Sequence, residues 1–199
     1  MTNTNIGRRR RAVIVAALLI FGRAGTARGD PSVGIDVHAS TLMVRVFKSG
    51  IFSPFAHDHE IQAPLETGTV NTSQPSVNLR VASKAMRVRD PKVSDHDRAR
   101  IQQAMEGPAV LDVVRYPEIR FRSTAIEKSG AERWTVHGML ELHGQSHSIG
   151  FTVRREGRFY RGTATVRQTE FGIKPIRLGG GTVRVKDEVR VDFDIALGS

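Results

Sequence analysis

Phe55-Ala56-His57-Asp58-His59-Glu60-Ile61 holds the densest set of chemically able side chains in the sequence. Two histidines stand two apart, with carboxylates between and behind them and apolar residues on both flanks. Three chemistries fit. Neutral imidazoles can be structural, bonded to backbone or to each other. They can recognise a ligand, donating to a carbonyl or, when protonated, pairing with a phosphate. Histidines at i and i+2 of a strand can also both reach one zinc or copper ion, a site that needs further ligands to close. Which one holds depends on where the side chains point.

Other motifs are weaker. Gly179-Gly180-Gly181 lacks the Lys-Ser/Thr that completes a phosphate loop and opens no helix, so it reads as a flexible hairpin loop. Asp95-His96-Asp97 sits where a helix begins, and acids there are favoured by the helix dipole. There is no G-x-S-x-G or H-E-x-x-H. No cysteine is present, which removes disulfides, thiolate metal sites and a thiol nucleophile. No catalytic residue is assigned, and the expectation is a protein that is not an enzyme.

Charge and length bound the partners. Residues 1–27 read as a secretory signal peptide: Arg8 to Arg11 form a basic start, Ala12 to Gly22 an apolar run too short to span a bilayer comfortably, and cleavage is expected after Ala27. The chain carries 30 basic and 20 acidic side chains. Removing the five arginines of residues 1–27 leaves 25 against 20, a net of +5. That mild, dispersed excess argues against nucleic acid and leaves room for peripheral contact with anionic membranes. The expected location is periplasmic or secreted. A homodimer also remains open.

The elements that must position the histidines are strands. Leu42, Val44 and Val46 alternate with Met43, Arg45 and Phe47, and Val189, Val191, Phe193 and Ile195 alternate with charged neighbours. The same period of two runs through Val77–Val81, Ile119–Phe121, Trp134–Leu142 and Ile149–Val153. Each strand has one apolar and one polar face, as an antiparallel sheet around one interior requires. Gly144-Gln145 is expected to turn one hairpin, Glu156-Gly157 the next, and Lys186-Asp187 to break the run from Thr182 to Ala196. One short helix starts at Ser94 with Asp97 three residues on, buries Ile101 and Met105, and stops at Gly107-Pro108. About eight strands remain, enough for a barrel or a sandwich, which periodicity alone does not separate.

Parity places the candidates. If residues 55–61 are extended, Phe55, His57, His59 and Ile61 share the apolar face. With the turn at Gly144-Gln145, His147 pairs with Leu142 and joins Leu140 on the inner face, while His137 and His143 point out.

Four segments together carry a family resemblance. They are Asp112-Val113-Val114-Arg115-Tyr116-Pro117-Glu118-Ile119-Arg120-Phe121-Arg122-Ser123, Gly138-Met139-Leu140-Glu141-Leu142-His143-Gly144, Phe171-Gly172-Ile173 and Val185-Lys186-Asp187-Glu188-Val189. In order and spacing the chain resembles the YceI family of secreted lipocalin-like barrels over roughly residues 33–196, and its Ala56-His57-Asp58-His59-Glu60 resembles a subgroup of that family. The resemblance implies an all-β fold: an antiparallel eight-stranded lipocalin-like barrel with one short helix, spanning residues 30–199. It also implies an apolar lumen holding an isoprenoid lipid, a polyprenyl or a quinone, with no other cofactor. Strand parity and the resemblance together line that lumen with Phe55, Ile61, Phe121, Leu142, Phe151 and Phe193. His57 and His59, with His147, then meet the polar head. A metal site or metal-dependent enzyme at His57 and His59, and an envelope interaction module with a filled interior, stand as alternatives.

Overall fold

The computed structural model describes residues 32–49, 58–178 and 183–198. The signal-peptide reading of residues 1–27, Phe55 and His57, and the loop reading of Gly179–Gly181 lie outside these residues.

The alternating pattern becomes strands: β1 (Ser32–Gly34), β2 (Thr41–Ser49), β3 (His59–Gln62), β4 (Leu65–Asn71), β5 (Ser76–Ala82), β6 (Arg87–Val88), β7 (Glu118–Gly130), β8 (Arg133–Leu142), β9 (Gln145–Glu156), β10 (Phe159–Arg167), β11 (Arg177–Leu178) and β12 (Val183–Ala196). Among the described residues all twelve join one strongly curled, antiparallel sheet in the order β1-β4-β5-β7-β8-β9-β10-β12-β2-β3-β6, with β11 paired to β12. The sheet returns on itself through an antiparallel bridge between Ile35 and Leu197, reinforced by Asp36 N–H to the Ala196 carbonyl and Gly198 N–H to the Gly34 carbonyl.

The expected count of eight strands is not matched. Part of the difference is interruption. A turn at residues 36–40, where the Asp36 carboxylate accepts the amides of His38 and Ala39, parts β1 from β2. A break at residues 63–64 parts β3 from β4, although β2 pairs with β3 and β1 with β4. The two-residue β6 and β11 add further segments. Lys186-Asp187 does not break the last strand either. β12 runs through it, and only its pairing with β2 shifts, between Val185 and Val189. Asp187 instead accepts Thr169 N–H and Oγ1–H, which anchors a 3-10 turn at Gln168–Phe171.

The helix follows its sequence signals. α1 (Asp95–Glu106) starts at Ser94, whose hydroxyl accepts Asp97 N–H at 3.1 Å, and ends at Gly107. Met105 is buried and Ile101 packs beside it against Ile61, Met86 and Val88. One end of the molecule carries this helix, the 143–144 hairpin and the 168–171 turn. The other, here the turn end, carries the 72–75, 131–132 and 157–158 turns and the Ile35–Leu197 bridge.

The hairpin between β8 and β9 turns one residue earlier than expected. Leu142 pairs with Gln145, so His143 and Gly144 form the turn with φ of +51° and +72°. Positive φ at both central residues is the type I′ geometry that matches strand twist. His147 consequently pairs with Leu140 rather than Leu142. The shift is two residues, so its face is unchanged.

Candidate functional site

Between the turn end and the middle of the sheet lies an apolar cavity of about 420 Å³. Phe121, Phe151 and Phe193 form a row along its wall, with centroids 5.4 Å apart at each step. Two glycines make room for the row. A Cβ at Gly162 would stand 2.5 Å from Phe193 Cζ, and one at Gly138 would meet the Phe121 ring. Leu42, Leu79, Val136, Ala164, Val191 and Ile195 close much of the remaining wall. The polar side chains on the lining are few: Asn71, Thr72, Trp134 and Tyr160, the last two with rings 5.8 Å apart. Thr72 and Pro75 are exposed and also line the cavity, so it reaches the surface at the 72–75 turn.

His59 lies elsewhere, at the helix end. It pairs with Val46, and Ile61 with Val44, so His59 and Ile61 do share the inner face. Its ring Nδ1 bonds Asp90 Oδ2, and the other Asp90 oxygen accepts Glu60 N–H. Asp90 is 2% exposed and His59 14%. A carboxylate only accepts, so Nδ1 carries the hydrogen of this bond. Arg98 of α1 donates to the Asp90 carbonyl from Nε and Nη2, at 3.3 and 3.1 Å, tying this corner to the helix. Burial holds the Lys48 ammonium below its ordinary pKa, against the opposing pull of Asp90 and Asp58. Glu60 and Asp58 face away from His59: Glu60 binds Arg45 Nη1 at 2.7 Å, and Asp58 is exposed and accepts Lys48 N–H.

Of the residues singled out from the sequence, the structure brings Phe121, Phe151 and Phe193 together on the cavity wall. Ile61, Leu142, His59 and His147 are not on that wall. Ile61 is in the packed cluster beneath α1, and His147 stands edge-on to the fully buried Phe171, with centroids 5.1 Å apart. His143 does not point freely outward. Its Nδ1 is 3.1 Å from the Phe171 carbonyl and its ring packs on Tyr116. His137 is exposed and lies over Gly150. Among the described residues, no three side chains of ligating type converge as a metal site would require.

Sequence reasoning missed Asp90, which stands 31 residues from His59 and has no local signal. It also passed over Tyr160 and Ala164. Both share the inward parity of Val166 on β10, a pattern that was there to be read.

A model of the YceI-like domain matches residues 34–197. A UPF0312 protein of Pseudomonas savastanoi pv. phaseolicola is 38% identical over 74 residues, 32% of this chain and 38% of that protein. A UPF0312 protein of Pseudomonas putida strain W619 is 36% identical over the same length and shares. These alignments thus span well under half of the curated relatives. Among solved structures, Burkholderia cenocepacia BcnA superposes with a TM-score of 0.55 at 17% identity, covering 83% of this chain and 99% of its own. A Campylobacter jejuni YceI protein superposes with a TM-score of 0.50 at 10% identity, covering 98% and 94%. At these identities the two structures speak for the fold alone.

Proposed function

This chain belongs to the YceI-like family, and we propose that it is a binding protein, not an enzyme, that holds an isoprenoid-type lipid inside a lipocalin-like barrel. The observation that carries this reading is the cavity itself. It is enclosed by a curled sheet, walled by aliphatic and aromatic side chains, and reaches solvent at one end. Ligand sites are mostly apolar, carry a few placed polar groups and occupy about 300–1,000 Å³. Each methylene moved from water into such a wall contributes roughly 0.8 kcal/mol. A polyprenyl or quinone tail suits the chemistry, and its affinity should change little with salt because burial rather than charge drives it.

The cavity's position sets the ligand's direction. A tail would enter at the turn end, past Thr72 and Pro75, and the polar head would stay at that mouth. His59 and His147 then hold the helix end together instead of meeting the head. The open cavity also favours a carrier over a module whose interior is filled. A periplasmic or secreted location suits a carrier of envelope lipids, and peripheral membrane contact suits its loading.

Native mass spectrometry of protein purified from a bacterial envelope, repeated after denaturation, tests the proposal. We expect an adduct of several hundred daltons that is lost on unfolding. A bare protein that also fails to take up added polyprenol or quinone would overturn it.

A further inference from the structure

Three arginines stand side by side on the outer face of the sheet. The register opposes Arg133 to Arg154, and Arg154 to Arg161, across β8, β9 and β10. The next outward row, two residues along, opposes Thr135 to Thr152 and Thr152 to Thr163. Arg133, Arg154, Arg161, Thr152 and Thr163 line an open groove of about 540 Å³. Like charges set directly opposite one another destabilise a ladder, and these outward positions have no packing reason to be arginine.

The acids nearby do not satisfy the row. Glu156 binds Arg154 Nε at 2.7 Å and also reaches Arg161 Nη1. Asp194 forms an ion pair with Arg161, its Oδ1 3.0 Å from Nε. Asp192 is occupied by Arg45, Arg190 and the Thr163 hydroxyl. Arg133 has no acidic partner among the described residues, and the Thr152 hydroxyl makes no hydrogen bond among them. Asp192 and Asp194 line the groove as well, but Asp194 is engaged by Arg161 and Asp192 by Arg45 and Arg190, so the Arg133 guanidinium fork and the Thr152 hydroxyl are the donors left over on its wall among the described residues.

We propose that this groove is a binding site for a phosphoryl oxyanion. Guanidinium groups match phosphate oxygens two at a time, and Arg133 and Thr152 supply donors that no described residue uses. The anion comes either from free phosphate or pyrophosphate or from the head group of an anionic lipid. The groove lies at the turn end, where Arg133, Arg154 and Arg161 alternate with Trp134, Val153 and Tyr160 on the cavity wall. The arginines thus sit near the same end of the sheet as the cavity mouth.

The test uses the exported chain in low salt, with calorimetric titration of pyrophosphate and sedimentation with phosphatidylglycerol or phosphatidylcholine vesicles. Pyrophosphate binding that weakens about tenfold in Arg133→Gln, the scale of one charge-assisted hydrogen bond, and is unchanged in Arg100→Gln on the exposed face of α1, supports the site and identifies a free anion. Binding confined to phosphatidylglycerol vesicles, with the same dependence on Arg133, supports it with a lipid head group as the source. Arg133→Lys keeps the charge without the fork and should fall between the two. No binding in either arm, or equal binding by Arg133→Gln, overturns the proposal. Polyprenol uptake is measured on the same samples. Anion binding should fade as salt rises while polyprenol uptake persists, so failure of one reading leaves the other standing.

Discussion

Asp192 shows what single residues contribute on the outer face of this sheet. Burial pushes its pKa up, but donors from Thr163 Oγ1 at 2.8 Å, Arg190 Nε at 2.8 Å and Arg45 Nε at 2.9 Å outweigh it and hold the carboxyl below its ordinary range. The sign follows from linkage. A carboxyl that is more acidic in the folded state stabilises fully above its unfolded pKa, about 3.9, and that contribution is lost as pH falls through the lower folded value. Asp192→Asn should therefore cost about 1 kcal/mol at pH 7, modest because the group is partly solvated, and the gap to the parent should narrow as the pH falls below the unfolded value of about 3.9. Urea midpoints at neutral pH and below that value measure it. A gap that persists undiminished in acid would show that the carboxylate's charge is not what stabilises this corner. The buried Asp90 is the residue-scale feature least legible from sequence. His59 was readable as inward from parity, but its partner comes from a separate segment, and no periodicity links the two.

At the scale of elements, the β8–β9 hairpin depends on two left-handed residues in succession. A Cβ on Gly144 would stand 2.5 Å from Tyr116 Cε1, at a φ of +72° that L-residues resist. Gly144→Ala should cost about 2 kcal/mol, read as a fall in the thermal or urea midpoint. A neutral result would mean that the turn is not under this constraint. The sequence located the hairpin and missed its turn by one residue, because glycine is the usual bearer of positive φ. Here His143 bears it as well, held by the Phe171 carbonyl and the Tyr116 ring. Those partners belong to the tertiary structure, so local signals could not reveal them. The faces survived the error because strand periodicity is two and the register moved by two. The helix was legible from Ser94 to Gly107, since its signals lie within the segment itself. The strand count was not, because the turn at 36–40 and the break at 63–64 leave the alternating pattern little changed on either side.

At the scale of the whole molecule, the interior decides capacity. Ala164 is 6% exposed and lies on the cavity wall opposite Val191 in the ladder. Ala164→Phe should fill the lumen, lower polyprenol uptake at least about tenfold, and cost no more than about 1–3 kcal/mol, because the new ring enters existing space. Uptake by a folded Ala164→Phe variant equal to that of the parent would place the ligand outside this cavity. The three phenylalanines on its wall were readable from alternation, whereas its extent and its mouth at the 72–75 turn depend on how twelve segments curl. That curl also governs how the chain comes to be folded. β12 fills the gap between β10 and β2, and Leu197 closes the bridge to Ile35. During synthesis the ring therefore has to wait for β12 and Leu197 to leave the ribosome. Until then β10 and β2 present unpaired edges and the apolar lining faces water, the state most open to aggregation. Closure joins Ile35 to Leu197, segments far apart in sequence, so folding should be slow and timed by β12.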